Sequence, residues 1–272
     1  MIRERFATAA EQALLEASLS LPEDVVAALE NASRREEDPV ARAELATMLE
    51  NLSEAKRLKV PICQDTGTPV FYVTLPNGFV FTDEIYKGIA EGVRRATKSI
   101  PLRPNSVDPC TRENYGDNLD NGRPVVHIRP GPRCELTVLP KGGGGENVSK
   151  ATSFFPSEVH RIKEFVLETM CEAGGRPCPP VILGVGIGGT FDQAPALAKE
   201  ALLEPLGSMD PFETELFDAI NALGIGPMGL GGNVTCLGVK VNRAACHTSS
   251  LPVAVNFQCW VCRRATVPVE VE

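Results

Sequence analysis

The chain has 272 residues, 43% hydrophobic and 23% charged, with 35 Asp and Glu against 27 Lys and Arg and a formal net charge of −8. Such a chain can bury a core without disulfide staples. The acidic balance and the lack of any Lys/Arg block exclude a nucleic-acid or anionic-membrane binder, whereas a small anionic substrate needs only local positive charge. No apolar run approaches the ~18 residues of a membrane span, and Met1-Ile2-Arg3-Glu4-Arg5 opens an amphipathic pattern with no signal core behind it. The expected location is the cytoplasm, with no membrane partner.

Residues 1–60 predict a helical N-terminal layer. Ile2, Phe6, Ala9, Ala13, Leu14 and Ala17 recur at helical spacing, Pro22-Glu23-Asp24 opens a second helix with acids in its first turn, and Asp38-Pro39 starts a third. After Pro61 the pattern becomes mixed: a strand over 70–75, a turn at Pro76-Asn77-Gly78, and a helix over 82–97 that Thr82 is placed to cap. Residues 101–123, rich in Pro, Asn, Asp and Arg, predict an ordered loop. Strands follow over 125–128 and 135–139, then the glycine loop Lys141-Gly142-Gly143-Gly144-Gly145. A helix over 156–173 ends at Gly174-Gly175, an apolar strand over 180–185 runs into Gly186-Ile187-Gly188-Gly189-Thr190, and helices follow near 192–204 and 210–222. A glycine-rich loop over 224–232 precedes closing strands over 234–241, 253–257 and 265–271. The fold class is α+β (mixed α/β) in a single domain over 1–272, with short, largely antiparallel sheets in residues 61–272.

Nine cysteines, at 63, 110, 134, 171, 178, 236, 246, 259 and 262, are many for such a chain. Without an export signal, disulfides are the less natural use, and a mixture of buried thiols and a few metal ligands is expected. Cys63, Cys178 and Cys259 sit at junctions between predicted elements, where a thiolate can point out of the packed core. Cys259-x-x-Cys262 has the spacing of half a zinc site, but no second pair exists, and its place near the C-terminus does not suit a thioredoxin-like redox motif. Gly184, Gly186 and Gly189 match G-x-G-x-x-G, a weak dinucleotide signal without an acidic residue closing a second strand. Asp65 is either a proton donor and acceptor or a turn residue bonding nearby backbone. His247 and Arg103 are each open to a structural as well as a functional use. Cys110, Cys134, Cys171, Cys236 and Cys246 are expected as packing residues.

Taken together, Ile62-Cys63-Gln64-Asp65-Thr66-Gly67-Thr68, Lys141-Gly142-Gly143-Gly144-Gly145-Glu146-Asn147, Cys178-Pro179-Pro180 with Gly188-Gly189-Thr190, and His247 followed by Cys259 and Arg263 resemble the iron–sulfur hydro-lyases. These are the class I fumarases and L-tartrate dehydratases, and the similarity is to their N-terminal region or separate α subunit, over nearly the whole chain. The resemblance implies a [4Fe-4S] cluster on Cys63, Cys178 and Cys259. Three thiolates leave one iron open as a Lewis acid for the loss of water from a 2-hydroxy dicarboxylate. Cys262 is then not a ligand; a fourth thiolate would instead make a non-catalytic sensor or electron-transfer protein. It further implies that Asp65 and His247 are catalytic and that Gln64, Arg103, Gly143 and Gly144 bind substrate. A β subunit would supply the remaining domain, and αβ pairs would dimerise. Fumarate hydration to (S)-malate is the expected reaction, on breadth of occurrence, with L-tartrate dehydration as the alternative.

Overall fold

The computed structural model describes residues 1–119 and 123–270. The chain forms two compact units, one from residues 1–22, 51–142 and 263 onward, the other from 23–50 and 143–262. The architecture is α+β with mixed sheets, as the sequence predicts. Among the described residues no helix is long and apolar enough to cross a membrane.

In the first unit, β1 (Thr68–Leu75) is flanked by β2 (Val125–Pro130), which runs parallel to it, and by antiparallel β3 (Glu135–Lys141); β8 (Ala265–Pro268) extends the sheet beyond β3, giving the order β2-β1-β3-β8. Alternation along β1 turns Phe71 and Val73 into a core shared with Leu136 and Val138 of β3. That core is closed by α1 (Ile2–Leu19), through Phe6, Ala10 and Leu14, and by α4 (Glu84–Ser99), through Ile85, Ile89 and Val93. Gly88 and Gly92 lie one turn apart on α4, and a Cβ on Gly92 would stand 2.7 Å from the Ala10 Cβ, so the two helices meet backbone to backbone. Thr82 does not cap α4: its hydroxyl is buried without a partner, and Asp83 holds the N-cap position. In the described part of the predicted 101–123 loop, side-chain bonds hold the backbone: Asp108 Oδ1 accepts the N–H groups of Cys110 and Thr111, and Asn118 Oδ1 accepts that of Asn105. Asp120, Asn121 and Gly122 of that loop, and Val271 of the closing strand, fall outside the described residues.

In the second unit the sheet order is β4-β7-β5-β6, with β5 (Val181–Gly188) central, parallel to β6 (Cys236–Ala244) and antiparallel to β7 (Leu251–Gln258), which carries the edge strand β4 (Lys150–Phe154). One face packs on α6 (Arg161–Ala173) and α8 (Pro211–Asn221) through Val166, Met170, Leu216 and Ile220; the other receives α7 (Gln193–Ala201) through Ala194 and Ala198, against Ala254. Gly184 and Gly186 lie inside β5, not in a strand-to-helix turn, and a Cβ on Gly186 would come within 2.6 Å of the Ala198 nitrogen. Their smallness therefore admits α7, which removes the dinucleotide reading. The helical N-terminal segment is shared: α1 belongs to the first unit, α2 (Glu23–Arg35) to the second, and α3 (Pro39–Leu58) spans the division. Glu36, fully buried after α2, accepts N–H groups from Glu37, Asp38, Asn233 and Val234, which fastens α2 to the strand leading into β6.

Candidate cofactor and substrate site

In the first unit the segment between α3 and β1 carries Cys63, Gln64 and Asp65. It is pinned at its start: Ile62 donates its N–H to the Ser18 carbonyl at 3.1 Å, and Asn51 Nδ2 donates to the Ile62 carbonyl at 2.9 Å. Asp65 Oδ1 accepts the Gly67 N–H at 2.9 Å, the local turn expected of an Asx residue, and Gly67 adopts φ +79°. The other carboxylate oxygen lies beside Gly142, where a Cβ would stand 3.1 Å from Oδ2, so glycine leaves the carboxylate its space. Thr66, buried, uses its hydroxyl fully: it accepts from the Arg103 N–H at 3.1 Å and from Asn105 Nδ2 at 3.2 Å, and donates to the Arg103 carbonyl at 3.3 Å. The Arg103 backbone is thereby held next to the Cys63–Gly67 turn while its side chain, like that of Gln64, is exposed.

Thr66 and Arg263 are the residues that sequence reasoning left without a role. Arg263 is 1% exposed, donates Nη2 to the Asp65 carbonyl at 2.9 Å, and keeps Nε and Nη1 buried with no acceptor among the described residues. Nothing in the pair Arg263-Arg264 marks one arginine as buried; only tertiary packing does.

In the second unit Cys178 enters β5 and Cys259 leaves β7, and the antiparallel register Ile182↔Gln258 puts both at one end of the sheet. The Trp260 N–H donates to the Cys178 carbonyl at 3.3 Å, joining the two segments directly. Cys178 has φ +54°, a left-handed backbone unusual for a residue with a Cβ, held by its N–H bond to the Gly175 carbonyl. The glycine run predicted as a loop is instead the start of a short helix, α5 (Gly143–Val148). Its glycines bring it close to both cysteine segments: a Cβ on Gly144 would lie 3.1 Å from the Arg176 carbonyl oxygen, and one on Gly145 2.5 Å from that of Phe257. Ser149 completes the contact by accepting the Phe257 N–H at 3.2 Å.

His247 lies elsewhere in this unit. It precedes β7 while Cys259 follows it, so eight extended residues separate them, roughly 25 Å. The exposed ring accepts the Ser249 N–H on Nδ1 at 3.1 Å, which places the proton of the neutral ring on Nε2, and it lines a depression of about 370 Å³ with Thr190, Phe191, Gln193 and Ser250.

All nine cysteines are thiols, and their exposure sorts them. Cys134, Cys236 and Cys262 are buried; burial pushes the Cys134 thiol up to about 11 and the Cys236 thiol up to about 12. Cys110, Cys171 and Cys246 are exposed, which corrects their assignment as packing residues. Only Cys63, Cys178 and Cys259 are half-buried, each on a loop next to a strand, as a thiolate ligand requires. Among the described residues neither unit by itself gathers three Cys, His, Asp or Glu side chains into a metal-ion site; the first unit holds one of the three half-buried thiols and the second holds two. The chemistry of the three half-buried thiols, soft ligands of the kind an iron–sulfur group takes, fits such a group.

The comparisons with known proteins put the chain in a class of hydro-lyases. Residues 7–268 match the fumarate hydratase (Fumerase) family, and the chain belongs to it. It is 43% identical over 270 residues to the putative L(+)-tartrate dehydratase subunit alpha of Methanocaldococcus jannaschii, covering 94% of this chain and 95% of that one. It is 34% identical over 265 residues to the L(+)-tartrate dehydratase subunit alpha of Escherichia coli strain K12 and to that of Shigella sonnei, covering 94% of this chain and 88% of each. These relatives favour the tartrate alternative over the expected fumarate and malate.

Proposed function

We propose that this chain is the α subunit of a two-subunit L(+)-tartrate dehydratase that carries a [4Fe-4S] cluster on Cys63, Cys178 and Cys259. The observation that carries the reading is the near full-length similarity to subunits of that name, combined with the selective half-burial of those three thiols. When bound, the cluster supplies an iron with an open position that makes a substrate hydroxyl a better leaving group. The reaction removes that hydroxyl from one carbinol carbon and a proton from its neighbour. The enol so formed rearranges to a 2-oxo diacid.

The chain's own groups divide the remaining work. Asp65, fixed by the Gly67 N–H on one oxygen, keeps its other oxygen on the side left clear by Gly142, and donates the proton that turns the departing hydroxide into water. Gln64, adjacent and exposed, bonds the same end of the substrate. Arg103, its backbone fixed by Thr66 and its guanidinium exposed, pairs with a substrate carboxylate in a charge-assisted bond. Gly144 acts through the close packing of α5, and Gly143, at the first position of that helix, is the glycine left to bind the substrate carboxylate. No step at the cysteine end is given to His247 of the same chain, because β7 intervenes. The base that takes the carbon-bound proton comes from the β subunit, and the cytoplasm is the compartment that suits such a cluster.

The test is an anaerobic assay of the reconstituted chain mixed with a β subunit of a tartrate dehydratase, offered L(+)-tartrate and (S)-malate separately. Dehydration of tartrate in the mixture and little in the lone chain is expected. Malate turned over tenfold better than tartrate would restore the fumarase reading favoured by the family description, and full activity of the lone chain would remove the β subunit from it.

A further inference from the structure

Among the described residues, Arg263 is the buried charged side chain with donors that find no acceptor. At 1% exposure a guanidinium is desolvated, and a buried N–H without an acceptor is costly, so such donors are normally filled by protein, water or ligand. Here Nη2 is used on the Asp65 carbonyl, while Nε and Nη1 find no acceptor among the described residues. The two lie on different edges of the planar fork. A single carboxylate, which pairs with two N–H groups on one edge, therefore cannot satisfy both. Two separate acceptors on one anionic body can.

We propose that Arg263 is a positioning residue whose Nε and Nη1 donate to the sulfur atoms of the cluster while Nη2 holds the Asp65 carbonyl, so that one side chain couples the proton donor to the cofactor. The inference rests on the cluster reading above. Arg263 stands four residues after Cys259, and its bonded partner Asp65 two residues after Cys63, so a single guanidinium is tied by sequence to two of the three ligand segments. Hydrogen bonds to thiolate and sulfide sulfur are among the levers by which a protein tunes such a cluster, and loss of outer partners weakens metal sites by about 10–100-fold.

The experiment compares wild type, R263M and R263K, each metal-free and each reconstituted anaerobically with ferrous iron and sulfide. Metal-free R263M should melt within about 2 °C of wild type or above it, since it sheds a buried, half-satisfied charge. Once reconstituted, R263M should lose iron to a chelator roughly tenfold faster than wild type and show a shifted electron paramagnetic resonance spectrum in its oxidised three-iron form, with R263K intermediate. A clear fall in the melting temperature of metal-free R263M, with unchanged chelation kinetics, would show a purely structural arginine and overturn the proposal. Stabilisation of the metal-free wild type by L(+)-tartrate, absent in R263M, would assign the donors to substrate carboxylate and also overturn it. Failure of wild type itself to take up iron and sulfide would sink the cluster reading along with it; uptake by wild type with R263M indistinguishable sinks this inference alone.

Discussion

Replacing Gly145 by Ala sets two effects of known size against each other. In the interior of a helix the methyl group favours α5 by about 1 kcal/mol. Against that, the new Cβ would stand 2.5 Å from the Phe257 carbonyl oxygen and 3.2 Å from its carbon. An ordinary contact needs about 3.4 Å, so α5 and the end of β7 must part by somewhat under 1 Å, and the obstacle is backbone, which cannot rotate away. The bond from the Phe257 N–H to Ser149 resists that separation. Overpacking costs about 1–3 kcal/mol, and against backbone that cannot yield the upper part of that range, about 2–3 kcal/mol, applies, so the net effect is a loss of about 1–2 kcal/mol, or roughly 3–6 °C in melting temperature for a chain of this length. Thermal unfolding followed by circular dichroism measures it, with Gly207→Ala as the control: that glycine is exposed with nothing within 4 Å of a Cβ, and its substitution should change stability by less than about 0.5 kcal/mol. If Gly145→Ala is as stable as wild type or more so, helix propensity outweighs the contact and the packing account of the glycine run is wrong.

Other substitutions probe the site and its supports. Cys63→Ser, Cys178→Ser or Cys259→Ser should each abolish retention of iron and sulfide, measured by metal analysis after gel filtration, while Cys110→Ser, Cys171→Ser and Cys246→Ser retain it. Under native conditions at pH 8 an alkylating reagent should label Cys110, Cys171 and Cys246 but spare Cys134 and Cys236, whose thiols burial holds at about 11 and about 12; peptide mass spectrometry reads the pattern. Glu36→Ala strands four N–H groups around a buried position and should lower stability by about 3 kcal/mol in urea titrations. Asp210 caps α8 by accepting the Glu213 N–H, which holds its carboxyl below the ordinary value. Its contribution is therefore complete above about pH 4 and fades as pH falls through the lowered value, and Asp210→Ala, which costs about 1 kcal/mol at pH 7, should cost progressively less as the pH drops below about 4.

The strands rich in Val, Ile and Leu, 70–75, 135–139, 180–185 and 234–241, are legible in sequence because each is apolar on the face that meets helices, and the longer amphipathic helices are legible for the same reason. What periodicity cannot carry is pairing direction: β2 runs parallel to β1, and β6 parallel to β5, through connections whose course depends on tertiary packing. Helix α5 is hidden because glycine has poor helix propensity; Phe257, Arg176 and the space they leave decide it. Edge strand β4 has no apolar alternation to reveal it. At the site, Cys63, Cys178 and Cys259 stand out by their junction positions, and Asp65 makes the turn bond that its sequence context offers. Arg263 stands in the motif that carries the resemblance, but its burial and its bond to the Asp65 carbonyl come from tertiary packing and leave no mark in the sequence.

The length of β7 offers a practical handle. Cys246, exposed beside His247, sits a full strand away from the Cys178 and Cys259 end of its sheet, so a fluorophore there stands clear of the proposed ligand thiols. In a background where Cys110 and Cys171 are serine, a fluorophore attached after reconstitution, while the proposed ligand thiols are occupied, would be quenched by the visible absorption of a bound cluster and serve as a ruler for cofactor retention, readable in the absence of any turnover.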